Sequence, residues 1–456
     1  MSIFREYDIR GIVGKDLTPK LAEQIGLAYG TRAARAGATS VAVARDGRTT
    51  AISMRDAVIN GITACGIDVV DIGVCPTPLL YFALFTLSVD GGVMVTASHN
   101  PPEYNGFKLS IGKASMHGAE IQALKDDIDL DRYQRSPNAG RVTEQAIIPQ
   151  YLAYIKQAFA GLDAGGLQVV VDCGNGMGGL VGPDALKLLG CGVTSMYVEV
   201  DGRFPNHSPD PTVVANLQDL IHKVRETKAN VGVAYDGDAD RIGVVDERGE
   251  ILWGDKLMVL FAREILKAKP GATIISEVKA SQTLYDDVAK RGGRPIMWKT
   301  GHSLIKAKMK EEQAALAGEM SGHMFFADRY FGYDDAIYAS CRLIEILAKA
   351  GHPLSSLLAD LPASIATPEI RVDCPDTTKF HVVEAVKQEL AGEYNTIGID
   401  GVRVLFPEGW GLIRASNTQP ALVLRFEAMS QEGLSRIRDV IESKLKKHIP
   451  LTLASH

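Results

Sequence analysis

Short apolar runs alternate along the chain with stretches whose apolar positions recur every three or four residues. SVAVARD (40–46) has the first pattern, and AISMRDAVINGITACG (51–66) has the second. IDVVDIGV (67–74) reads as a strand again, and PTPLLYFALF (76–85) starts a helix at its prolines. GGVMV (91–95) is a third strand, running into the loop TASHNP. This alternation predicts parallel α/β layers, whose strands are covered on both faces and so read as unbroken apolar runs.

The pattern restarts twice. LQVVVDCGNG (167–176) ends a strand in a glycine-rich turn, a helix follows, and VGVAYDGDADR (231–241) closes a second unit. ATIISEV, PIMWKTGH and LAGEMSGH mark the strand ends of a third. Beyond about residue 366 the order changes to EIRVDC, a helix at 380–391, VRVLF, GLIRAS, ALVLRFEA and a last helix at 431–447. Strand runs with short turns between two helices predict a smaller α+β unit. The expected boundaries give four domains: 1–145, 146–253, 254–365 and 366–456. The first three are expected to be similar α/β domains with mixed or parallel sheets, arranged with the α+β domain around a central cleft. No repeat between the units is close enough in sequence to prove duplication.

Composition narrows the function classes. The 456 residues are 46% hydrophobic and 23% charged, and Lys+Arg 49 against Asp+Glu 55 leaves a net charge of -6. No block of like charge or basic stripe exists, so no nucleic-acid partner is expected. The longest apolar run, 79–87, is too short for a bilayer, and MSIFREYDIRG carries charge where a signal peptide needs apolar residues. Six scattered cysteines without a C-x-x-C pair read as buried thiols of a cytoplasmic protein.

Candidate chemistry sits in loops after strands, where ligands gather in open α/β sheets. Asp236, Asp238 and Asp240 alternate as the chain leaves a strand, so their carboxylates are expected on one side, repelling unless a cation lies between them. Hard oxygens without Cys or His suit Mg²⁺ or Mn²⁺. An EF-hand ending at Glu247 fails because Arg241 stands where glycine is needed and the flanks read as strands. A solvated acidic turn is the blander alternative. In TASHNP, Ser98 and His99 are expected on opposite faces, which disfavours a Ser–His nucleophile pair, and no G-x-S-x-G elbow surrounds them. A phosphorylated Ser98 could complete the coordination of an Asp-bound metal; a capping serine explains the local sequence equally well.

RASNTQP (414–420) offers the planar fork of Arg414 with Ser416, Asn417 and Thr418 as further donors, a set suited to phosphate. GEMSGH (318–323) sets Glu319 and Ser321 between glycines, an acceptor and a donor for vicinal hydroxyls. Arg10, Lys108, Lys279 and His302 lie near strand ends, where a surface or salt-bridge role is the ordinary one. His117, His207, His222 and His352 gain no role from their surroundings. DCGNGMGG (172–179) lacks the spacing of a dinucleotide turn and reads as a tight domain-linking turn.

YDIRG (7–11), TASHNP (96–101), NGFK (105–108), DGDADR (236–241), GEMSGH (318–323) and RASNTQP (414–420) together resemble the α-D-phosphohexomutase family, in family order across nearly the whole chain. Met320 draws the likeness toward its bacterial phosphomannomutase/phosphoglucomutase branch. The resemblance implies four domains around a deep cleft and a phosphate carried on Ser98. It implies Mg²⁺ held by Asp236, Asp238, Asp240 and that phosphate. The phosphoryl group then passes to a hexose 1- or 6-phosphate, and the hexose 1,6-bisphosphate turns around and returns its other phosphate.

Under this implication His99 and Asn100 hold the serine loop, Arg241 and Lys108 neutralise charge, and Lys108 serves as general acid/base if its pKa is lowered. Arg10 and His302 are rivals for that role. Tyr7 helps close the cleft. Arg414, Ser416, Asn417 and Thr418 grip the non-transferring phosphate. Glu319 and Ser321 read the sugar, with Lys279, Thr300, Gly301 and His323 around them. A glucose or mannose 1,6-bisphosphate activator and a monomer or homodimer are also implied. The competing readings are a phosphoglucosamine mutase of the same family, an Asp-nucleophile phosphatase, and a catalytically silent sugar-phosphate-binding protein.

Overall fold

A computed structural model describes residues 3–417 and 419–449. Four sheets form along the chain. The first orders its strands Ile9–Ile12, Tyr104–Ile111, Gly91–Val95, Ser40–Arg45, Asp68–Val74 and Val142–Glu144, with Ala114–Ser115 as an added edge. The second runs Ile251–Leu252, Ile242–Asp246, Val231–Tyr235, Gln168–Asp172, Gly192–Met196. The third runs Arg294–Trp298, Thr273–Glu277, Leu316–Gly318, Met324–Phe326. The fourth has six strands built around the hairpin Gly409–Ala415 and Ala421–Ala428, with the helices Lys379–Ala391 and Gln431–Leu445 packed on it.

The first three sheets share a device that periodicity alone does not reveal. In each, the third parallel strand turns back into an antiparallel neighbour: Gly91–Val95 into Tyr104–Ile111, Val231–Tyr235 into Ile242–Asp246, and Leu316–Gly318 into Met324–Phe326. The hairpin strand always stands next to the same three parallel strands in the same order. TASHNP, DGDADR and GEMSGH are therefore the equivalent turn of three equivalent units, and RASNTQP is the hairpin turn of the fourth.

The helix Thr77–Thr86 is apolar on every side, and such a helix must be covered all round. Phe82 meets Tyr151 edge-on at 5.4 Å and Phe85 stacks on Phe331 at 4.9 Å, so this helix wedges the first domain against the second and third. One apolar core runs through all three at that point. The fourth domain docks on the third through buried Arg403. Its guanidinium donates to the carbonyls of Val278 and Ala280, both at 2.7 Å, and lies 3.6 Å from the centre of the Trp410 ring. Ser281 Oγ donates to Glu427 at 2.6 Å across the same interface.

All six cysteines are buried and unbridged. Among the described residues no helix is long and apolar enough to cross a membrane. DCGNGMGG proves to lie inside the second domain rather than to link domains. Met177 N donates to Gly237 O at 2.9 Å, so this turn buttresses the DGDADR loop.

Candidate active site

The hairpin turns of the first two domains meet face to face. Ser98, 1% exposed, has a left-handed backbone (φ 51°) and donates its hydroxyl to Asp236 Oδ2 at 2.8 Å. Its Oγ also lies 3.1 Å from His99 Nδ1. This corrects the expectation that the two side chains face apart: strand alternation ends at residue 95, and the left-handed turn at Ser98 swings both to one side.

Asp236, Asp238 and Asp240 are fully buried, with carboxylate oxygens within 4.8 Å of one another. They converge because 236–241 is a tight turn with Ala239 at φ 59°, not because extended alternation continues. Oδ1 of Asp238 and Oδ1 of Asp240 are buried without a hydrogen-bond partner. Hard oxygens left unpaired in a dry site are the donor set a divalent cation such as Mg²⁺ satisfies.

Electrostatics bears on each of these groups. Burial, then Asp240 and Asp238, hold Asp236 well above the usual carboxylate range. Burial would also raise Asp238, but the Lys108 ammonium beside it overcomes this and pulls it down. Lys108, on the return strand, donates to Asp238 at 2.8 Å and to Asp240 at 2.5 Å. Burial would lower Lys108, yet those two carboxylates hold it well above the lysine range. Thr77, at the start of the apolar helix, donates to Asp238 at 2.6 Å.

Arg10 stands on the edge strand Ile9–Ile12. It pairs with Asp8 at 2.7 Å and donates to Asn100 Oδ1 at 2.7 Å, fixing the serine turn from outside. Arg241 joins two turns: its N–H reaches Asp236 at 3.1 Å and its Nε donates to His323 Nε2 at 2.9 Å. His323 Nδ1 lies 3.0 Å from Asp334 and 3.6 Å from Asp240. His302 opens the helix His302–Glu312 and stacks on His323 with ring centres 5.6 Å apart. Burial, then the Lys306 charge, keep the His302 ring neutral at ordinary pH, well below the usual histidine value; burial and Arg241 do the same for His99.

The third and fourth domains close the other side. Glu319 accepts from Gly301 N at 3.1 Å and from Ser321 Oγ at 2.9 Å. Gly301 has φ 133°, and a Cβ there would lie 2.4 Å from the Tyr7 ring. Tyr7 donates to Thr300 O at 2.6 Å and accepts from Asn417 Nδ2 at 2.6 Å, tying the first, third and fourth domains together. Arg414 pairs with Asp400 at 2.9 Å and Lys279 with Glu369 at 3.1 Å. Ser416 Oγ accepts from Gln419 N at 3.1 Å. Thr418 lies outside the described residues. Contacts join Ser98 to Asp236, Lys108 to Asp238, Arg10 to Asn100, His302 to His323, His323 to Arg241, Gly301 to Glu319, and Tyr7 to Thr300 and Asn417. Sequence reasoning missed Thr77, Asp334, Asp400 and Glu369, together with Asp210, which lies 3.9 Å from His99 Nε2, and Glu277, which accepts from Lys279 N at 2.6 Å and Met320 N at 3.1 Å. Of these, only the paired acids of FGYDDA (331–336) offered a local signal.

Profiles of the phosphoglucomutase/phosphomannomutase family match along nearly the whole chain. Its alpha/beta/alpha domain I matches residues 1–133, domain II residues 149–249, domain III residues 253–365 and the C-terminal domain residues 369–444. The chain is 47% identical to a phosphomannomutase/phosphoglucomutase of Pseudomonas aeruginosa, over 98% of this chain and 96% of that one. It is 45% identical to a phosphoglucomutase of Neisseria meningitidis, over 97% of each. A crystal structure of a phosphoglucomutase/phosphomannomutase family protein from Burkholderia thailandensis superposes with TM-score 0.91 at 42% identity, covering 98% of both chains.

Proposed function

The chain belongs to the phosphoglucomutase/phosphomannomutase family, and we propose that Ser98 is its phosphoryl carrier and the three-aspartate turn its metal site. It is a phosphohexomutase, reversibly interconverting hexose 1-phosphates and hexose 6-phosphates through an enzyme phosphoserine and a hexose 1,6-bisphosphate. Mannose and glucose phosphates are the proposed substrates, and glucose or mannose 1,6-bisphosphate the activator that reloads Ser98. The unbridged buried thiols support a cytoplasmic setting, and a monomer or homodimer is the proposed assembly.

The observation that carries the site assignment is the 2.8 Å contact between Ser98 Oγ and Asp236, beside two further carboxylates with unpaired oxygens. Asp236, Asp238 and Asp240 would hold Mg²⁺, which neutralises charge on phosphoryl oxygens when bound. This chain's own groups do the rest. Arg241 and Lys108 face the transferring group, and His99 and Arg10 hold the serine turn. Engaging the carboxylates removes the anions that keep Lys108 high, which brings it toward proton transfer. His302 and His323, stacked on each other in the third domain with His323 against Arg241 and Asp240, are the imidazoles nearest the metal turn. Glu319 and Ser321 meet sugar hydroxyls. Arg414, Ser416, Asn417 and Thr418 take the phosphate that is not transferred, with Lys279, Thr300, Gly301 and Tyr7 beside them.

³¹P NMR tests this directly. With Mg²⁺ and a trace of glucose 1,6-bisphosphate, mannose 1-phosphate and glucose 1-phosphate should become 6-phosphates. Ser98→Ala should lose that conversion by about 10³-fold or more, the scale expected when the group forming a covalent intermediate is removed. Free phosphate released equally by Ser98→Ala would instead identify a phosphatase.

A further inference from the structure

The turn that carries Ser98 is gripped through its main chain by one buried guanidinium. Arg48, 2% exposed, follows the strand Ser40–Arg45. Its NH1 donates to the carbonyls of Pro101 at 2.6 Å and Tyr104 at 3.1 Å. Its NH2 donates to the carbonyls of Ser98 at 2.9 Å and Asn100 at 2.6 Å. Behind it, Asp46 Oδ2 lies 3.2 Å from Nε and Asp46 Oδ1 accepts the Arg48 main-chain N–H at 3.0 Å. Phe204 of the second domain covers the guanidinium at 5.2 Å.

Both terminal nitrogens thus spend their hydrogens on the segment 98–104, a planar fork that an ammonium cannot reproduce. The carbonyls they hold belong to a stretch that keeps a non-glycine residue left-handed at Ser98, a conformation that persists only where its surroundings impose it. The same Ser98 carbonyl abuts the metal turn, since a Cβ at Gly237 would lie 2.4 Å from it.

We propose that Arg48 is the positioning residue of the nucleophile: by binding four carbonyls of the serine turn it sets the place of Ser98 Oγ against the aspartate cluster. Arg48 makes no hydrogen bond to the side chains assigned to sugar, phosphate or metal, so its contacts reach the site through that turn, and only its charge bears directly on Asp238. The inference rests on the reading of Ser98 as phosphoryl carrier.

The test uses the full chain as wild type, Arg48→Gln and Arg48→Lys, below their melting midpoints. Glucose 1,6-bisphosphate loads Ser98, and intact mass gives the phosphorylated fraction. Discharge to glucose 1-phosphate is then followed in a single turnover, with steady-state kcat and KM alongside. The discharge rate per phosphoserine should fall about 100-fold in Arg48→Gln and about 10-fold in Arg48→Lys, the scale of a misplaced reacting group. KM for the sugar phosphate should stay within about threefold, because sugar contacts are untouched. Variants that discharge each phosphoserine at the wild-type rate, losing activity only with folded fraction, would overturn the proposal while leaving the Ser98 reading intact. A wild type that takes no phosphate on Ser98 would sink the Ser98 reading first. Should Arg48→Gln not fold, Arg48→Lys decides by the same rate.

Discussion

Single residues here are constrained by distance more than by chemistry. Gly237 is a clear case, because any Cβ would press on the Ser98 carbonyl at 2.4 Å, and backbone cannot step aside as a flexible side chain can. Gly237→Ala should therefore keep the fold but force the serine and aspartate turns apart, lowering kcat about 10-fold or more in the mutase assay. His302 shows a different constraint. Its folded pKa lies well below the value near 6.5 expected of the unfolded chain, so the unfolded state takes up the proton first as pH falls. Stability from this group is full above about pH 6.5 and is lost below it, by up to ~1.4 kcal/mol per pH unit for one proton. Urea midpoints measured from about pH 7 to about pH 5 should decline less steeply in His302→Gln than in wild type, by up to that slope.

At the scale of elements, the sequence was most legible where apolar runs were long. ALVLRFEA (421–428) and GGVMV (91–95) coincide with strands, and the helix expected over 431–447 forms at Gln431–Leu445. The edge strand Ile9–Ile12 and the return strands were missed, because their pairing depends on partners about a hundred residues away or on a turn that reverses direction. DGDADR and TASHNP could be picked out by residue type, but their shape comes from left-handed turns that period-two reasoning does not contain. The run at 79–87 is legible as a helix begun at its prolines and as too short for a membrane, whereas its all-round apolarity, which marks an interdomain wedge, shows its meaning only once the domains are packed. Phe82→Ala should cost about 3–5 kcal/mol, the range for a buried aromatic truncated in a core, and lower the thermal midpoint accordingly.

Across the whole molecule, two of the contacts that hold the fourth domain differ in kind. Arg403 is fully buried against the third domain, whereas Tyr7 meets Asn417 and Thr300 through two hydrogen bonds at the cleft. The second contact buries less and rests on one hydroxyl. Tyr7→Phe should leave stability nearly unchanged and enlarge the radius of gyration in small-angle scattering without substrate. It should also raise KM for glucose 1-phosphate several-fold to tenfold or more, since both bonds go with the hydroxyl and each is worth about 1 kcal/mol. Arg403→Met should do the reverse, with a lower melting midpoint and a KM near wild type.

The equivalent hairpins have a consequence for redesign. Each unit delivers its chemistry on one short turn whose ends are fixed by strand pairing, so a turn can be treated as a cassette. Residues 319–322 could be exchanged to alter which sugar is accepted while the serine and aspartate cassettes stay as they are. His323 marks the limit of that freedom. Its bond to Arg241 and the backbone bridge between the two residues splice the sugar cassette to the metal cassette, so a graft that drops this histidine would change the engine along with the lock.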